Sequence, residues 1–375
     1  MRDYILFELK SFVKKRKTLY LILVLLGGAF LLFGAIQFQD LGNHEAQMYD
    51  ELNQTRLALR SVETYYTEDS DEETLSDNIY RQQSLAATMY NGILFEDTQW
   101  LSKSGQELAE LRIEFSELNE NEDLPPSLFP PLHESKRQIA EYGALNQSNH
   151  PVQVDSRNTS SYLRLLMQYF GLFAFIFLVV FASDIGIEDF RHQSMVDGYP
   201  IHPVARIFTQ ISIYFTSILT GSLFVLLIAI LFVSLFWRMT DLTYPMAIFS
   251  FGEFQAIPVW EGLLWFILYY AFLTLHIIAL SLLLNHLFKN MYATIVGLVF
   301  LYSLPLLFPN LFSTLTWTPL PYYQMTPILK GAIAEQSPFF ADVQSAVFIL
   351  LLYTILTLLF LVFFKRSSIN LFKRR

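Results

Sequence analysis

Between two of the most apolar stretches of the chain, residues 183–206 read SDIGIEDFRHQSMVDGYPIHPVAR. Four carboxylates (Asp184, Glu188, Asp189 and Asp197) stand there against two guanidinium groups, Arg191 and Arg206. Charges of both signs at this spacing suit pairing with one another or with a complementary protein surface. They do not suit catalysis, because no nucleophile–base pair accompanies them. The other residue of chemical interest is His276, set in FLTLHIIAL. An ionisable group in such a run serves either a substrate or proton path, or it is a neutral imidazole bonded to a neighbouring helix. The second option costs less. The motifs GxxxxGK[ST], HExxH, GxSxG and GxGxxG are all missing, and so is cysteine. The chain is therefore expected to carry no nucleotide, metal or catalytic site of its own.

The elements that hold these residues are read from the long apolar runs. Of 375 residues, 53% are hydrophobic and 16% aromatic, while 16% are charged. A soluble domain carries roughly 25% charge. Uncharged runs cover 18–39, 165–183, 207–237, 262–288, the first part of 290–329, and 343–364. Each reaches the ~20 residues needed to cross about 30 Å of hydrocarbon. The fold expected is all-α, a polytopic membrane protein with six transmembrane helices. The first span (18–38) has too long an apolar core, and no small-x-small site after it, to be a cleaved signal.

Lysine and arginine give the orientation. Six lie in residues 1–17 and five in the basic tail 365–375, and Arg191, Arg206 and Lys289 fall on the same side. The short loops opposite hold only Arg238 and Lys330. Both termini are thus expected in the cytoplasm. Residues 39–160 carry 23 acids and eight bases, so the acidity of the chain belongs to one external domain. Such a long external segment without a disulfide fits a bacterial plasma membrane better than an animal cell surface.

Within that domain, Met48, Leu52, Thr55, Leu59, Val62 and Tyr66 repeat at heptad spacing. So do Leu101, Ser104, Leu108, Leu111, Phe115 and Leu118. With a weaker helix over 79–93, they predict a small antiparallel helical bundle. Three N-x-[ST] matches, at Asn53, Asn146 and Asn158, are given no role. Residues 1–17 place Ile5, Leu6, Leu9, Phe12 and Val13 on one helical stripe beside lysines, which predicts an interfacial helix on membrane lipids. Pro305, Pro309, Pro319, Pro321 and Pro327 crowd the second half of 290–329. A span ending near residue 308 and a broken, re-entrant outer segment at 309–330 are expected, with Trp317, Tyr322 and Tyr323 at headgroup level. The polar island itself reads as an amphipathic helix over 184–200. Ser183 or Asp184 caps it, Ile187, Phe190, Met195 and Val196 line one face, and Gly198 and Pro200 end it. Pro203 fits the first turn of the next span.

A basic N-terminal helix before the first span, and FASDIGIEDFRHQSMVDGYPIHPVARIFTQ between the second and third, resemble the ABC transporter type-2 permease family. Glu188, Pro200 or Pro203, and the Ala205–Arg206 pair match the family's loop pattern, and the proline-broken segment looks like its re-entrant helices. The resemblance covers 1–38 and 160–375 and implies a six-span half-transporter that pairs with a second permease chain. It implies a coupling helix seated in a separate cytosolic ABC ATPase subunit, which supplies ATP and Mg. Asp184, Glu188, Asp189, Phe190, Arg191, Met195 and Arg206 are then the ATPase-coupling candidates. A central cavity between the two protomers, lined by the second and fifth spans, would carry substrate outward past Phe173, Phe177, His276, Tyr302 and Pro305. The substrate class stays open among peptide, lipid and hydrophobic drug; a nucleic-acid partner is not expected. The alternative is an ATPase-driven mechanotransmitter that moves its external domain and transports nothing.

Because the chain has no cysteine, its topology can be mapped with single introduced thiols. Glu114→Cys should react with a membrane-impermeant maleimide on intact cells. Lys10→Cys and Arg366→Cys should react only after permeabilisation, and the reverse pattern would overturn the orientation.

Overall fold

The computed structural model describes residues 2–65, 70–118, 129–148, 150–191, 201–237, 241–337 and 341–372. Five helices are long and apolar enough to cross a membrane. They are α2 (Arg16–Gln39), α7 (Thr159–Ala182), α9 (Pro203–Phe236), α10 (Val259–Phe288) and α14 (Val343–Phe372), the last apolar to Phe363. The stretch expected to give the remaining span forms the shorter α11 (Met291–Leu307), 17 residues with Pro305 inside it. The chain is an α-helical polytopic membrane protein.

Local signals explain the helix ends. Asn158 Oδ1 accepts from the Ser161 amide at 2.8 Å and caps α7, so this helix starts earlier than the apolar run alone indicates. One of the N-x-[ST] asparagines is thus an N-cap. His202 caps α9, and Pro203 sits in its first turn as its fixed φ favours. The central helix α10 packs against α7, α9, α11 and α14. Its buried residues, among them Tyr269, Leu273, Ile277 and Leu282, form a broad face toward these helices, while Leu264 and Leu268 are exposed on the other side.

Residues 39–160 contribute α3 (His44–Tyr65), α4 (Ser70–Leu94), α5 (Thr98–Leu118) and α6 (Leu132–Gln147), packed in sequence order. The heptad positions Met48, Leu52, Thr55, Leu59, Leu101, Ser104, Leu108, Leu111 and Phe115 are buried. Helix α6 was not foreseen. Its apolar stripe is thin, and it is laced instead by Arg137 paired with Glu134 and with Glu141. It approaches α5 closely at Gly105, where an added Cβ would stand 2.6 Å from the Tyr142 ring.

One departure from the all-α expectation is a hairpin, β1 (Pro245–Ser250) with β2 (Glu253–Pro258), antiparallel with Ala247 opposite Ala256. Phe251 and Gly252 make its two-residue turn, both at positive φ (53° and 80°), the geometry that matches strand twist. The Phe251 and Gly252 amides donate to Gln344 and Asp342, each at 3.1 Å, so the turn is fastened to the start of α14. An apolar run beside a span concealed it, since short runs do not separate strand from helix by period.

The proline-rich stretch is broken as expected, into α12 (Pro309–Thr314), a single 3₁₀ turn at Pro321–Tyr323 and α13 (Met325–Leu329). Its aromatic residues divide, however. Trp317 is exposed, while Tyr322 and Tyr323 are fully buried and form core rather than a headgroup belt. Their neighbours satisfy the irregular backbone. Tyr269 Oη donates to the Tyr322 carbonyl, Tyr322 Oη to the Thr316 carbonyl, and Thr326 Oγ1 to the Gln168 carbonyl, each at 2.8 Å. Such backbone survives among spans only when protein satisfies it.

Gly105→Leu should drive a side chain into Tyr142 and destabilise the α3–α6 bundle by about 1–3 kcal/mol. Limited proteolysis of the full chain in detergent should show faster cleavage within residues 44–147 and unchanged cleavage within the spans.

Candidate functional site

The polar island is fastened where it leaves α7. Residues 183–186 form turns, and the helix of the island, α8 (Ile187–Arg191), begins three residues later than expected. Ser183 does not cap it; its hydroxyl donates back to the Val180 carbonyl at 3.0 Å. Asp184 turns inward. Its two oxygens accept from Lys15 Nζ at 3.0 Å and Lys17 Nζ at 2.7 Å, at the joint between α1 (Arg2–Lys14) and α2. Lys15 also donates to the Tyr214 hydroxyl on α9 at 3.1 Å. Burial alone would raise the Asp184 carboxyl, but Lys17 and then Lys15 outweigh it and hold the carboxyl below its ordinary range.

A second fastening comes from the joint between α10 and α11. Asn285 Nδ2 donates to the carbonyls of Ser183 and Ile185, both at 2.8 Å, and Thr294 donates to Asn285 Oδ1 at 2.6 Å. Farther along, the Phe190 ring meets His286 edge-on at 5.2 Å, and Lys289 Nζ lies 5.9 Å from its centre. The loop is thereby tied to the first, third, fourth and fifth apolar segments together. Sequence reasoning missed Lys15, Lys17, Tyr214, Asn285 and Thr294. The lysines read as a charged flank, and Asn285 sits at the end of an apolar run that by itself calls only for a span. An asparagine closing an apolar helix was the available signal.

Helix α1 supports the same joint. Tyr4 and Phe12 are buried against α9, where Gln210 Nε2 donates to Tyr4 Oη and Glu8 Oε1, both at 3.3 Å, and Phe12 meets Tyr214 at 4.8 Å. Ile5, Leu6 and Leu9 stay exposed. Phe12 therefore leaves the stripe assigned to lipid and faces protein.

The remaining coupling candidates lie as follows. Arg206 is buried at the start of α9 and Asp189 is half-buried on α8. Glu188 and Arg191 are on α8, while Met195 and the rest of the 184–200 segment beyond residue 191 lie outside the described residues. Asp184 and Arg206 thus act within the chain rather than at its surface.

The pathway candidates fall into two groups. Phe173 and Phe177 line an apolar cavity between α2, α7, α9 and α10. His276, Tyr302 and Pro305 do not reach it. Tyr302 stacks on Phe175 at 4.8 Å, Phe175 meets Tyr323 at 4.6 Å, and the Tyr323 hydroxyl lies 3.1 Å from His276 Nε2. His276 Nδ1 in turn lies 3.3 Å from Thr354 Oγ1. Both imidazole nitrogens have partners on neighbouring elements, which is the less costly of the two readings of this residue. The central path lined by the second and fifth spans is expected between two chains; within this chain α7 and α11 pack together, with Tyr302 stacked on Phe175, and α11 lines no part of the cavity between α2, α7, α9 and α10.

Among the described residues, no group of three His, Asp or Glu side chains is placed to hold a metal. Comparison with protein-family models, with characterised proteins and with solved structures finds no match for this chain. Fold and site together define its class as a multi-pass α-helical membrane protein with a polar loop anchored at a junction of apolar helices.

Because Asp184 is depressed in the folded chain, its stabilisation is complete above the unfolded carboxyl value, about 3.9, and is lost as pH falls through the folded value. Asp184→Asn should lower stability at pH 7 by about 2–3 kcal/mol, a figure reduced for partial exposure. The gap between variant and parent in detergent melting curves should close in acid below about pH 4.

Proposed function

We propose that this chain is the membrane-spanning permease subunit of an ATP-driven ABC exporter. It moves a peptide, lipid or hydrophobic drug-like substrate outward across a bacterial plasma membrane. The observation that carries the reading is the double anchorage of residues 183–190, through Asp184 to Lys15 and Lys17 and through Asn285 and Thr294 to the α10–α11 joint. Such bonds stabilise any loop that leaves a span, by satisfying its charge and its carbonyls. A loop that receives a push needs them, because a force on α8 then moves several spans at once.

In this reading both termini are cytoplasmic, and α11 with the broken segment after it completes a sixth crossing. The acidic α3–α6 domain is external. A cytosolic ATPase subunit binding ATP and Mg seats on residues 187–200. A second permease chain, identical or related, faces the first and completes the substrate path. Nucleotide chemistry belongs to the partner.

A specific observation favours a second reading, a mechanotransmitter. The acidic domain is linked to the membrane part through Arg164, which donates to Glu141 at 2.9 Å, and through His133 against Glu335. The hairpin beside it is fastened to α14. Movement of the spans would reach the domain through these contacts.

The test is the chain reconstituted with the ATPase encoded beside it. Glu188→Lys or Arg191→Glu should lower ATP turnover several-fold while the chain stays in the membrane; unchanged turnover would overturn the assignment. Turnover that rises with candidate substrates in sealed vesicles supports export. Turnover indifferent to every substrate but dependent on the acidic domain supports the mechanotransmitter.

A further inference from the structure

The cavity between α2, α7, α9 and α10 measures about 530 Å³, within the roughly 300–1,000 Å³ of small-molecule sites. It runs along α2 from Val24 to Ala35, or about 17 Å at 1.5 Å per residue. That makes it a narrow slot, on the order of 6 Å across, beside a transmembrane helix of about 10 Å diameter. A second copy of any span is too thick to enter.

Its walls select further. Phe170, Phe173, Leu226 and Phe266 close it opposite Gly28 and Ala29 of α2. The polar side chains that reach it are Tyr169, Ser222 and Tyr270, and the last two bond each other at 2.9 Å. A peptide would leave its backbone groups unmatched in such a slot, at a cost of several kcal/mol each by transfer measurements. A hydrocarbon chain asks for no partner. At Gly28 itself α2 contributes no side chain, and nothing lies within 4 Å of where a Cβ there would stand.

The two ends differ. Leu41 closes the end nearer the acidic domain, and beside it Asp40 is paired with Arg157, which also donates to the Gln37 carbonyl at 3.3 Å. The end at Val24 lies well inside α2, away from charge. A slot with an ion pair at one mouth and an apolar end at membrane depth matches a phospholipid, headgroup at Arg157 and tail toward Val24. Its length exceeds the roughly 15 Å of half a hydrocarbon core, so it holds a whole chain of that leaflet.

We propose that this cavity is a resident phospholipid site that takes one acyl chain from the leaflet facing the acidic domain. The lipid is a structural ligand, distinct from any transported substrate, and the site stands whether or not an ATPase drives the chain.

The full chain in nanodiscs of phosphatidylglycerol and phosphatidylethanolamine, with a trace of phosphatidylglycerol bearing a diazirine in its acyl chain, tests this by photolabelling and peptide mapping. Adducts should concentrate at Phe170, Phe173 and Leu226, several-fold above Val296 and Phe300, which are exposed on α11. Gly28→Leu should fill the slot and remove that excess. Gly27→Leu, at a glycine equally free of neighbours but outside the lining, should leave it in place. Even labelling of cavity and α11 positions, or an excess that survives Gly28→Leu, would overturn the proposal. Disulfide-linked dimers of Gly28→Cys would overturn it too, by showing that a second copy reaches the slot. No ATPase is present in any arm, so failure here leaves the coupling reading untouched.

Discussion

One carboxylate shared by two lysines, Asp184 between Lys15 and Lys17, sets how the rest of the membrane part is held. The turn that follows α7 must leave its helix at the edge of the apolar bundle, where exposed backbone groups and unpaired charge are costly. Asp184 neutralises the positive joint between α1 and α2, and Asn285 accounts for the two carbonyls on the other side of the turn. Neither fastening works alone. Without the lysines a carboxylate would be buried unpaired, and without Asn285 the Ser183 and Ile185 carbonyls would lose their side-chain partner. The result is a short helix, α8, standing on a base built from four different apolar helices.

A comparable arrangement holds the opposite end. There the irregular stretch from Pro309 to Gln336 carries buried tyrosines whose hydroxyls satisfy neighbouring backbone, and the hairpin turn is caught by Asp342 and Gln344. Between the two ends run the column Tyr302–Phe175–Tyr323–His276 and the central helix α10. Packed interiors shift between discrete arrangements rather than bending continuously. In both proposed readings a displacement of α8 is carried through α10 toward the acidic domain. This mechanical continuity is common to the exporter and the mechanotransmitter.

Much of the architecture was legible in the sequence, and the reasons differ by element. Apolar runs of span length have few other folded solutions, so the long helices stood out. The heptads of the acidic domain marked α3 and α5 because Met48, Leu52, Leu101 and Leu108 repeat on one face. Helix α6 was hidden because ion pairs around Arg137, more than apolar area, hold it. The hairpin was hidden because PMAIFS is apolar on both faces and EFQAIP alternates only over Glu253–Ala256, too short a run to separate strand from helix. At the site, the location of the loop was readable from its charge. Its attachment was not, since Lys15 and Asp184 are 169 residues apart and a positive flank needs no partner to be expected. Tyr322 and Tyr323 misled in a related way, because aromatic rings near a span end suit the headgroup level and the core equally.

The central claim is that α8 and α1, held together through the α1–α2 joint, move as one body. Spin labels at Lys10→Cys and Asp189→Cys, placed in the chain bound to the proposed ATPase subunit, test it through their separation with and without a non-hydrolysable ATP analogue. The account predicts an unchanged Lys10–Asp189 distance, while the distance between Asp189 labels on two facing copies shifts. A Lys10–Asp189 distance that changes while the separation of the copies stays constant would contradict it.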